Sequence, residues 1–260
     1  STLFPYTTLF RSSCLFCALY IRKRVPLLCL GKRWFVFDKS LMKKTISYGS
    51  TSAMQQVCLQ IGKTIIQAVV NTQGVSVMAA FTAVNRVDDF AYIPQQNIGH
   101  AMTTFIAQNK GAGKKERIRR GFQSGIGIEL VYGLILLVLM YFGAEKIMGL
   151  FTSQEDAQVV TLGKSYLHLV SWMYILPAIT NGIQGFFRGM GDLKVTLYST
   201  FMNMAGRVLA VIVMFLVFNL GFVSLAWANL IGWIVMLLFE IPLLMRQLKD
   251  RKSTRLNSSH

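Results

Sequence analysis

Acidic residues are scarce in this 260-residue sequence, which has 11 aspartates and glutamates against 27 lysines and arginines, a formal net charge of +16. Charged residues of both signs make up 15% of the chain, compared with about 25% in soluble domains. Hydrophobic residues reach 53%, and the mean hydropathy is +0.46. This balance argues against an ordinary soluble enzyme and favours a protein that binds nucleic acid or lies in a membrane.

Cysteine is also scarce, and three of the four cysteines lie between Cys14 and Cys29, which predicts no disulfide framework. Cys14 and Cys17 form a CxxC pair without a second pair or a histidine cluster. Because metal centres take three or four protein ligands, we expect no metal site, and nothing in the sequence indicates a cofactor. The absence of HExxH and GxSxG motifs argues against an intramembrane enzyme.

The two ends of the chain differ from the rest. Residues 2–12 read TLFPYTTLFRS and residues 250–260 read DRKSTRLNSSH, and both resemble translated sequencing-adapter oligonucleotides. We therefore expect 1–12 and 250–260 to be artefacts that are dispensable for folding, and the natural chain to be longer.

Long apolar segments between these ends predict membrane-spanning helices. A spanning helix needs about 20 mainly apolar residues, and a short apolar tail and a basic linker precede six segments of suitable length. The predicted spans are 49–71, 77–107, 121–143, 158–187, 195–218 and 222–245. The predicted fold class is all-α, a polytopic membrane helix bundle.

The first two predicted spans are less apolar than the others, but their polar residues recur with the period of one helix face. A polar stripe of this kind cannot face lipid and must face a partner helix or water. Pro94 predicts a kink in the second span. The stripes consist of Gln56, Gln60, Lys63, Gln67 and Asn71 in the first span and Asn85, Asp89, Tyr92, Gln96, His100 and Thr103 in the second.

Basic connections alternate with neutral ones along the chain. The linker before the first span and the Lys110–Arg120 connection are rich in lysine and arginine, whereas the Thr72–Ser76 connection carries no charge. The positive-inside rule then places the N-terminal linker, the second and fourth connections and the C-terminus in the cytoplasm. The sequence predicts a multi-pass protein of the cell membrane whose basic clusters meet anionic lipid headgroups, with no nucleic-acid-binding face.

Three short stretches share a common placement at the predicted inner side of the membrane. They are SAMQQ at 52–56, which follows the amphipathic segment DKSLMKK at 38–44, QNKGAG at 108–113 and FRGMGD at 187–192. In order and spacing, the set resembles the multidrug and toxic compound extrusion (MATE) family of secondary transporters.

The resemblance implies that residues 48–249 are the carboxy-terminal six-helix lobe of a twelve-helix transporter. Residues 13–47 would then be the end of a preceding transmembrane helix and a cytoplasmic linker, and the amino-terminal lobe would be missing. The implied function is half of an antiporter that exports amphipathic or cationic organic compounds, such as drugs, in exchange for H⁺ or Na⁺ by alternating access. The alternatives are a lipid-linked saccharide flippase of the same superfamily and a fragment that is inactive by itself.

Seven polar residues are candidates to line the central cavity and bind substrate, although interhelical hydrogen bonding explains them equally well. They are Gln55, Gln56, Asn85, Tyr92, Gln95, Asn181 and Gln184.

Arg86, Asp88 and Asp89 lie within one turn of the second span and form either an ion-coupling site or a structural pair. Arg86 and Asp89, three residues apart, are the expected pair, with Lys63 as a partner for Asp88. The family positions that hold Na⁺-binding carboxylates in some branches fall near Leu59 and Pro177, which are not acidic. The resemblance therefore places coupling mainly in the missing lobe.

Overall fold

The computed structural model describes residues 4–24, 37–151, 157–216, 218 and 221–256, and the regular structure in these residues is helical. A 3₁₀ turn, Trp172–Tyr174, separates the fifth helix from the sixth. The all-α prediction is confirmed. The helices are α1 (Phe4–Arg24), α2 (Lys39–Asn71), α3 (Val75–Gly111), α4 (Lys115–Phe151), α5 (Ala157–Ser171), α6 (Ile175–Gly189), α7 (Leu193–Leu216) and α8 (Ser224–Leu256).

The chain divides into two units, 1–47 and 48–260. In the first unit, the rings of Phe16 and Tyr20 stack on α1 with centroids 6.4 Å apart. Helices α1 and α8 include the described parts of 1–12 and 250–260, so these parts are helical. The proposed adapter origin of both ends stays a prediction.

Helix α2 is longer than the predicted span at 49–71 and begins at Lys39. Asp38 caps its N-terminus, because the Asp38 Oδ1 accepts hydrogen bonds from the backbone N–H groups of Ser40 at 2.7 Å and Leu41 at 3.2 Å. The predicted amphipathic segment and the first span are therefore parts of one continuous helix.

The predicted fourth span, 158–187, is not one helix, because the 3₁₀ turn at Trp172–Tyr174 interrupts it. Pro177 gives the physical reason. It has no N–H to donate to the carbonyl of Met173, and its ring crowds that carbonyl, so the α-helical pattern breaks one turn before the proline. By contrast, helix α3 continues through Pro94.

Two helices end in the same type of glycine turn. Gly113 after α3 has φ 69° and Gly191 after α6 has φ 77°, values that favour glycine. The residues that follow reach back five positions, Lys114 N–H to the Asn109 carbonyl and Asp192 N–H to the Phe187 carbonyl, each at 2.9 Å. These are the hydrogen bonds of a Schellman motif.

Glycines let α3 and α6 approach closely. A Cβ atom on Gly185 would lie 2.7 Å from the Gly99 carbonyl oxygen, and one on Gly189 would lie 2.7 Å from the Ile106 Cβ. The Thr103 hydroxyl lies 3.2 Å from the Gly185 carbonyl oxygen, which it can reach as a donor. We call this contact the α3–α6 seam, and small residues of this kind allow close packing of membrane helices.

Among the described residues, three helices are long and apolar enough to cross a membrane, namely Lys115–Leu150, Leu193–Phe215 and Ser224–Lys249. They correspond to the third, fifth and sixth predicted spans. The other three spans contain the polar stripes or the 3₁₀ turn, and they stay predictions.

Gly185→Ala tests the α3–α6 seam. The new methyl group would overlap the backbone of Gly99, so we expect a loss of about 1–3 kcal/mol, the usual cost of overpacking. Gly127→Ala on α4 is the matched control, because nothing lies within 4 Å of a Cβ there. Thermal melting in detergent should show a lower midpoint for Gly185→Ala alone; equal midpoints would contradict the seam.

Cysteine labelling tests the predicted orientation. In a cysteine-free background, a membrane-impermeant maleimide applied to intact cells should label Gln73→Cys and spare Lys114→Cys until the cells are permeabilised. Gln73 is the labelling position in this connection, because the neighbouring Gly74 has a φ of 98° that disfavours any residue with a side chain. The reverse labelling pattern would refute the orientation.

Candidate functional site

Helices α2 and α3 each expose a polar face. Helix α2 buries Gln55, Gly62, Ile66 and Val70, which leaves most of the predicted polar stripe on the accessible side. On α3 the polar stripe is likewise exposed or half-buried. The exposed members of the two stripes are Gln56, Gln60, Lys63, Asn71, Asp89, Gln96 and His100.

An ion pair joins the two polar faces. The Lys63 Nζ lies 3.6 Å from the Asp89 Oδ1, and these side chains are 56% and 65% exposed. The expected pairing of Arg86 with Asp89 is wrong in this structure, since Arg86 is exposed and makes no ion pair within 4.0 Å among the described residues. Asp89 instead points towards the neighbouring helix, which carries a better-placed cation.

Asp88 and Asp89 face opposite environments although they are adjacent in sequence. Successive residues of an α-helix point about 100° apart, so one carboxylate can enter the bundle while the next leaves it. Asp88 is only 6% exposed. Lys63 is therefore the partner of Asp89 and not, as expected, of Asp88.

Two tyrosines hold the buried Asp88 carboxylate. The Tyr174 hydroxyl donates to the Asp88 Oδ1 at 2.5 Å, and the Tyr166 hydroxyl donates to the Asp88 Oδ2 at 3.4 Å. The Asn229 Nδ2 donates to the Tyr166 hydroxyl at 2.7 Å. This group, which we call the Asp88 cluster, links α3, α5, the 3₁₀ turn and α8.

Aromatic rings and one cation surround the Asp88 cluster. The Tyr92 ring lies 5.6 Å from the Tyr174 ring and 6.2 Å from the Trp233 ring. The Tyr92 hydroxyl and the Asn229 Oδ1 are buried and have no hydrogen-bond partner among the described residues. Arg207 on α7 interacts electrostatically with Asp88. The cluster thus contains one buried carboxylate, several hydroxyl donors and two oxygens able to accept a further hydrogen bond.

A second polar cluster links α2, α6, α7 and α8. The Gln55 Nε2 donates to the Thr200 hydroxyl at 2.8 Å, and the Gln184 Nε2 lies 3.4 Å from the same oxygen. The Arg188 Nη2 donates to the Gln184 Oε1 at 2.7 Å. The fully buried Glu240 lies beside Ser199 and Gln184 and interacts electrostatically with Arg188.

The structure separates the seven predicted cavity residues into two groups. Gln55, Gln95 and Gln184 are buried and make interhelical hydrogen bonds, with the Gln95 Nε2 donating to the Tyr174 carbonyl at 3.3 Å. Gln56 is exposed, whereas Asn85, Tyr92 and Asn181 are half-buried. Substrate contact by any of the seven stays a prediction.

Glu129 is a residue that the sequence analysis missed. It is fully buried on α4, and neither of its carboxylate oxygens has a hydrogen-bond partner among the described residues. A single acidic residue within the apolar stretch 121–143 is the signal that identifies it. In the part of the chain that the structure describes, no three histidine, cysteine or acidic side chains are placed to hold a metal ion.

Comparison with known proteins gives the family. A family model described as MatE matches residues 52–209, more than half of the chain. The chain belongs to the MATE family. The resemblance of the three short motifs is thereby confirmed.

The MATE relatives are distant in sequence and longer than this chain. "Probable multidrug resistance protein YoeA" of Bacillus subtilis (strain 168) is 25% identical over 177 residues, which cover 67% of this chain and 38% of the relative. A protein named "Probable multidrug resistance protein NorM" from Bacillus cereus (strain ATCC 10987 / NRS 248) is 29% identical over 123 residues, covering 47% of this chain and 27% of the relative. The matched part thus spans less than two fifths of each relative.

Solved MATE structures show the same fold. A crystal structure of MATE in complex with MaL6 superposes with a TM-score of 0.84 at 20% identity, covering 95% of this chain and 56% of that one. An outward-facing MATE transporter of the MOP superfamily gives a TM-score of 0.73 at 17% identity, covering 78% of this chain and 44% of that one. The helices of this chain are therefore arranged as in part of a MATE transporter.

Two conservative substitutions distinguish the buried carboxylate from the exposed one. Tyr174→Phe removes a donor to buried Asp88 and should cost about 1–3 kcal/mol, the penalty for leaving a buried polar group unsatisfied. Asp89→Asn breaks only an exposed ion pair and should cost less than about 1 kcal/mol. Thermal unfolding in detergent measures both, and an equal or larger loss for Asp89→Asn would show that the wrong aspartate has been assigned to the core.

Proposed function

We propose that this chain forms one lobe, the carboxy-terminal one, of a secondary active antiporter. The complete transporter exports amphipathic or cationic organic compounds across the cell membrane in exchange for H⁺ or Na⁺, by alternating access. The observation that carries the proposal is the pair of exposed polar faces on α2 and α3, joined by the Lys63–Asp89 ion pair.

Polar faces at membrane depth need water or protein beside them. Lipid offers no hydrogen bonds, and charged side chains that face it are costly. An amino-terminal lobe packed against this one would enclose these faces in a water-filled cavity, which is how two-lobed transporters form a substrate site at their interface. Membrane lipids would then contact the apolar outer surfaces of the bundle.

A cavity of this composition suits amphipathic cations. Tyr92 beside Trp233 supplies aromatic surface that attracts cations. An apolar groove of about 570 Å³ between α7 and α8 is lined by residues such as Leu209, Val213 and Ile231. Such an uncharged surface is able to take hydrophobic groups.

A lipid-linked saccharide flippase is the second candidate. A pyrophosphate group requires several free cations in the cavity, and Lys63 and Arg86 are the candidates on the polar faces. Asp89 lies beside Lys63 and neutralises it. This arrangement favours the drug antiporter over the flippase.

The predicted orientation belongs to the same proposal. The N-terminal linker and the C-terminus lie in the cytoplasm, and the basic residues between Lys110 and Arg120 meet anionic headgroups. Because half a cavity cannot alternate between two sides, we propose that this chain has no transport activity by itself.

A chimera tests the proposed function. The segment of YoeA that this chain matches would be replaced by the corresponding residues of this chain, and the chimera expressed in bacteria that lack their own drug pumps. We expect ethidium, an organic cation, to leave preloaded cells faster with the chimera than with this chain alone, and the efflux to stop when the proton and sodium gradients are dissipated.

Two controls accompany the chimera. YoeA itself establishes whether ethidium is a suitable substrate, and membrane insertion of the chimera is checked on immunoblots. A well-inserted chimera that leaves ethidium inside the cells, while YoeA exports it, would contradict the export function. Transport of a lipid-linked saccharide by that same chimera would favour the flippase.

A further inference from the structure

The Asp88 cluster connects a buried carboxylate on α3 to α5 and α8 through hydrogen bonds, and binding a substrate does not require such a connection. We propose that Asp88 binds and releases a proton, and that Tyr166 and Asn229 transmit its protonation state from α3 to α8 by reversing the direction of their hydrogen bonds. The inference rests on the proposed antiport, to which it adds a proton-binding residue within this lobe.

The three side chains form a linear relay. The Asp88 Oδ2 lies 3.4 Å from the Tyr166 hydroxyl, which lies 2.7 Å from the Asn229 Nδ2. All three side chains are more than nine-tenths buried, so each hydrogen-bond site has few alternative partners. Because the members stand on α3, α5 and α8, a change in one bond is felt by three helices.

The directions of the hydrogen bonds in this structure are those expected for an ionised Asp88. A carboxylate can only accept hydrogen bonds, and it accepts one from Tyr166 and one from Tyr174. Since the Tyr166 hydroxyl has a single proton and gives it to Asp88, its oxygen is free to accept, and the Asn229 Nδ2 donates to it. This pattern leaves the Asn229 Oδ1 without a partner among the described residues.

A proton on Asp88 reverses the relay. The proton, delivered from water, forms an O–H bond at the Asp88 Oδ2, which becomes a donor to the Tyr166 oxygen. Tyr166 then turns its own proton to Asn229, whose amide rotates by half a turn to present Oδ1 as the acceptor. The Tyr174 hydroxyl still donates to the Asp88 Oδ1. The unsatisfied Asn229 oxygen is thus the group that the second state uses.

The charges around Asp88 connect the same event to α7. Arg207 on α7 is the cation that acts on Asp88, while Asp89 on α3 is the nearby like charge; the neighbouring hydroxyls are Tyr92, Tyr166 and Tyr174. The hydroxyl of Tyr132 on α4 donates elsewhere, to the Ala91 carbonyl at 3.3 Å. Protonation removes the negative charge of Asp88 that attracts Arg207. The attraction between α3 and α7 therefore weakens at the same time as the hydrogen bond between Tyr166 and Asn229 on α8 changes direction.

A proton fits the cluster better than Na⁺ does. Hard cations require several oxygen lone pairs directed at one point. Here the Tyr166 and Tyr174 hydroxyls direct protons, not lone pairs, at the two carboxylate oxygens of Asp88. A cation between them would first have to break both hydrogen bonds.

Infrared difference spectroscopy of the full 260-residue chain in liposomes tests the proposal. As the pH is lowered, a protonated Asp88 gives a carboxylic C=O stretching band that ¹³C-labelled aspartate shifts. We expect this band to be lost in Asp88→Asn and retained in Asp89→Asn, its matched neighbour. Asp88→Glu keeps a carboxyl group at the site and should shift the band to another frequency. A shifted band would assign the signal to this site even if Asp88→Asn failed to fold.

Shifts of the Asp88 band and of the Asn229 amide band test the part of the relay that involves Tyr166 and Asn229. Tyr166→Phe and Asn229→Leu should shift the Asp88 band while preserving it, because each changes the hydrogen bonding of the proton. The exposed Tyr141→Phe should leave the band unchanged. Labelled Asn229 should show an amide C=O shift that follows the same pH dependence and disappears in Tyr166→Phe.

Several outcomes would overturn the inference. They are the absence of any titrating aspartate band, a band that survives in Asp88→Asn, an Asn229 amide that ignores pH, and a band that sodium ions abolish at constant pH. The experiment needs no transport, so its result is separate from that of the chimera. Proton binding without efflux would reject the antiporter alone, and efflux without an Asp88 band would reject the relay alone.

Discussion

The close approach of α3 and α6 is the constraint on which the site depends. Contacts along the two helices occur in the same order, from Gln95 with Tyr174, through Gly99 with Gly185, to Ile106 with Gly189. The helices are therefore parallel, and only glycine allows their backbones to meet at this distance. The seam fixes the 3₁₀ turn beside α3, which carries the Tyr174 hydroxyl to Asp88.

Parallel packing also brings the two glycine turns together. Helices α3 and α6 end at the same side of the bundle, with Gly113 and Gly191 in the left-handed conformation. The Lys110 ammonium group donates to the Met190 carbonyl, so the first turn is bonded directly to the second. The two glycine turns thus lie together at one side of the lobe.

The sequence predicts local features well and orientations poorly. Apolar runs identify α4, α7 and α8, because this signal lies in the same residues as the structure that it predicts. By contrast, the choice between Asp88 and Asp89 depends on how α3 is rotated against its neighbours. Arg86 is near Asp89 in sequence, but the rotation of α3 and the position of α2 place Asp89 beside Lys63, with which it forms an ion pair.

The break in the fourth span and the partners of Asp88 show the same distinction. Pro177 is visible in the sequence and explains the 3₁₀ turn, whereas the meeting of Tyr166, Tyr174 and Asn229 requires the tertiary packing of three elements. Hydrogen bonding separates the buried carboxyl groups further. Glu129 has no hydrogen-bond partner among the described residues, so a proton gained or lost there has no bonded route to another helix. Asp88 has such a route, and its position beside the seam connects it to the closely packed helices α3 and α6.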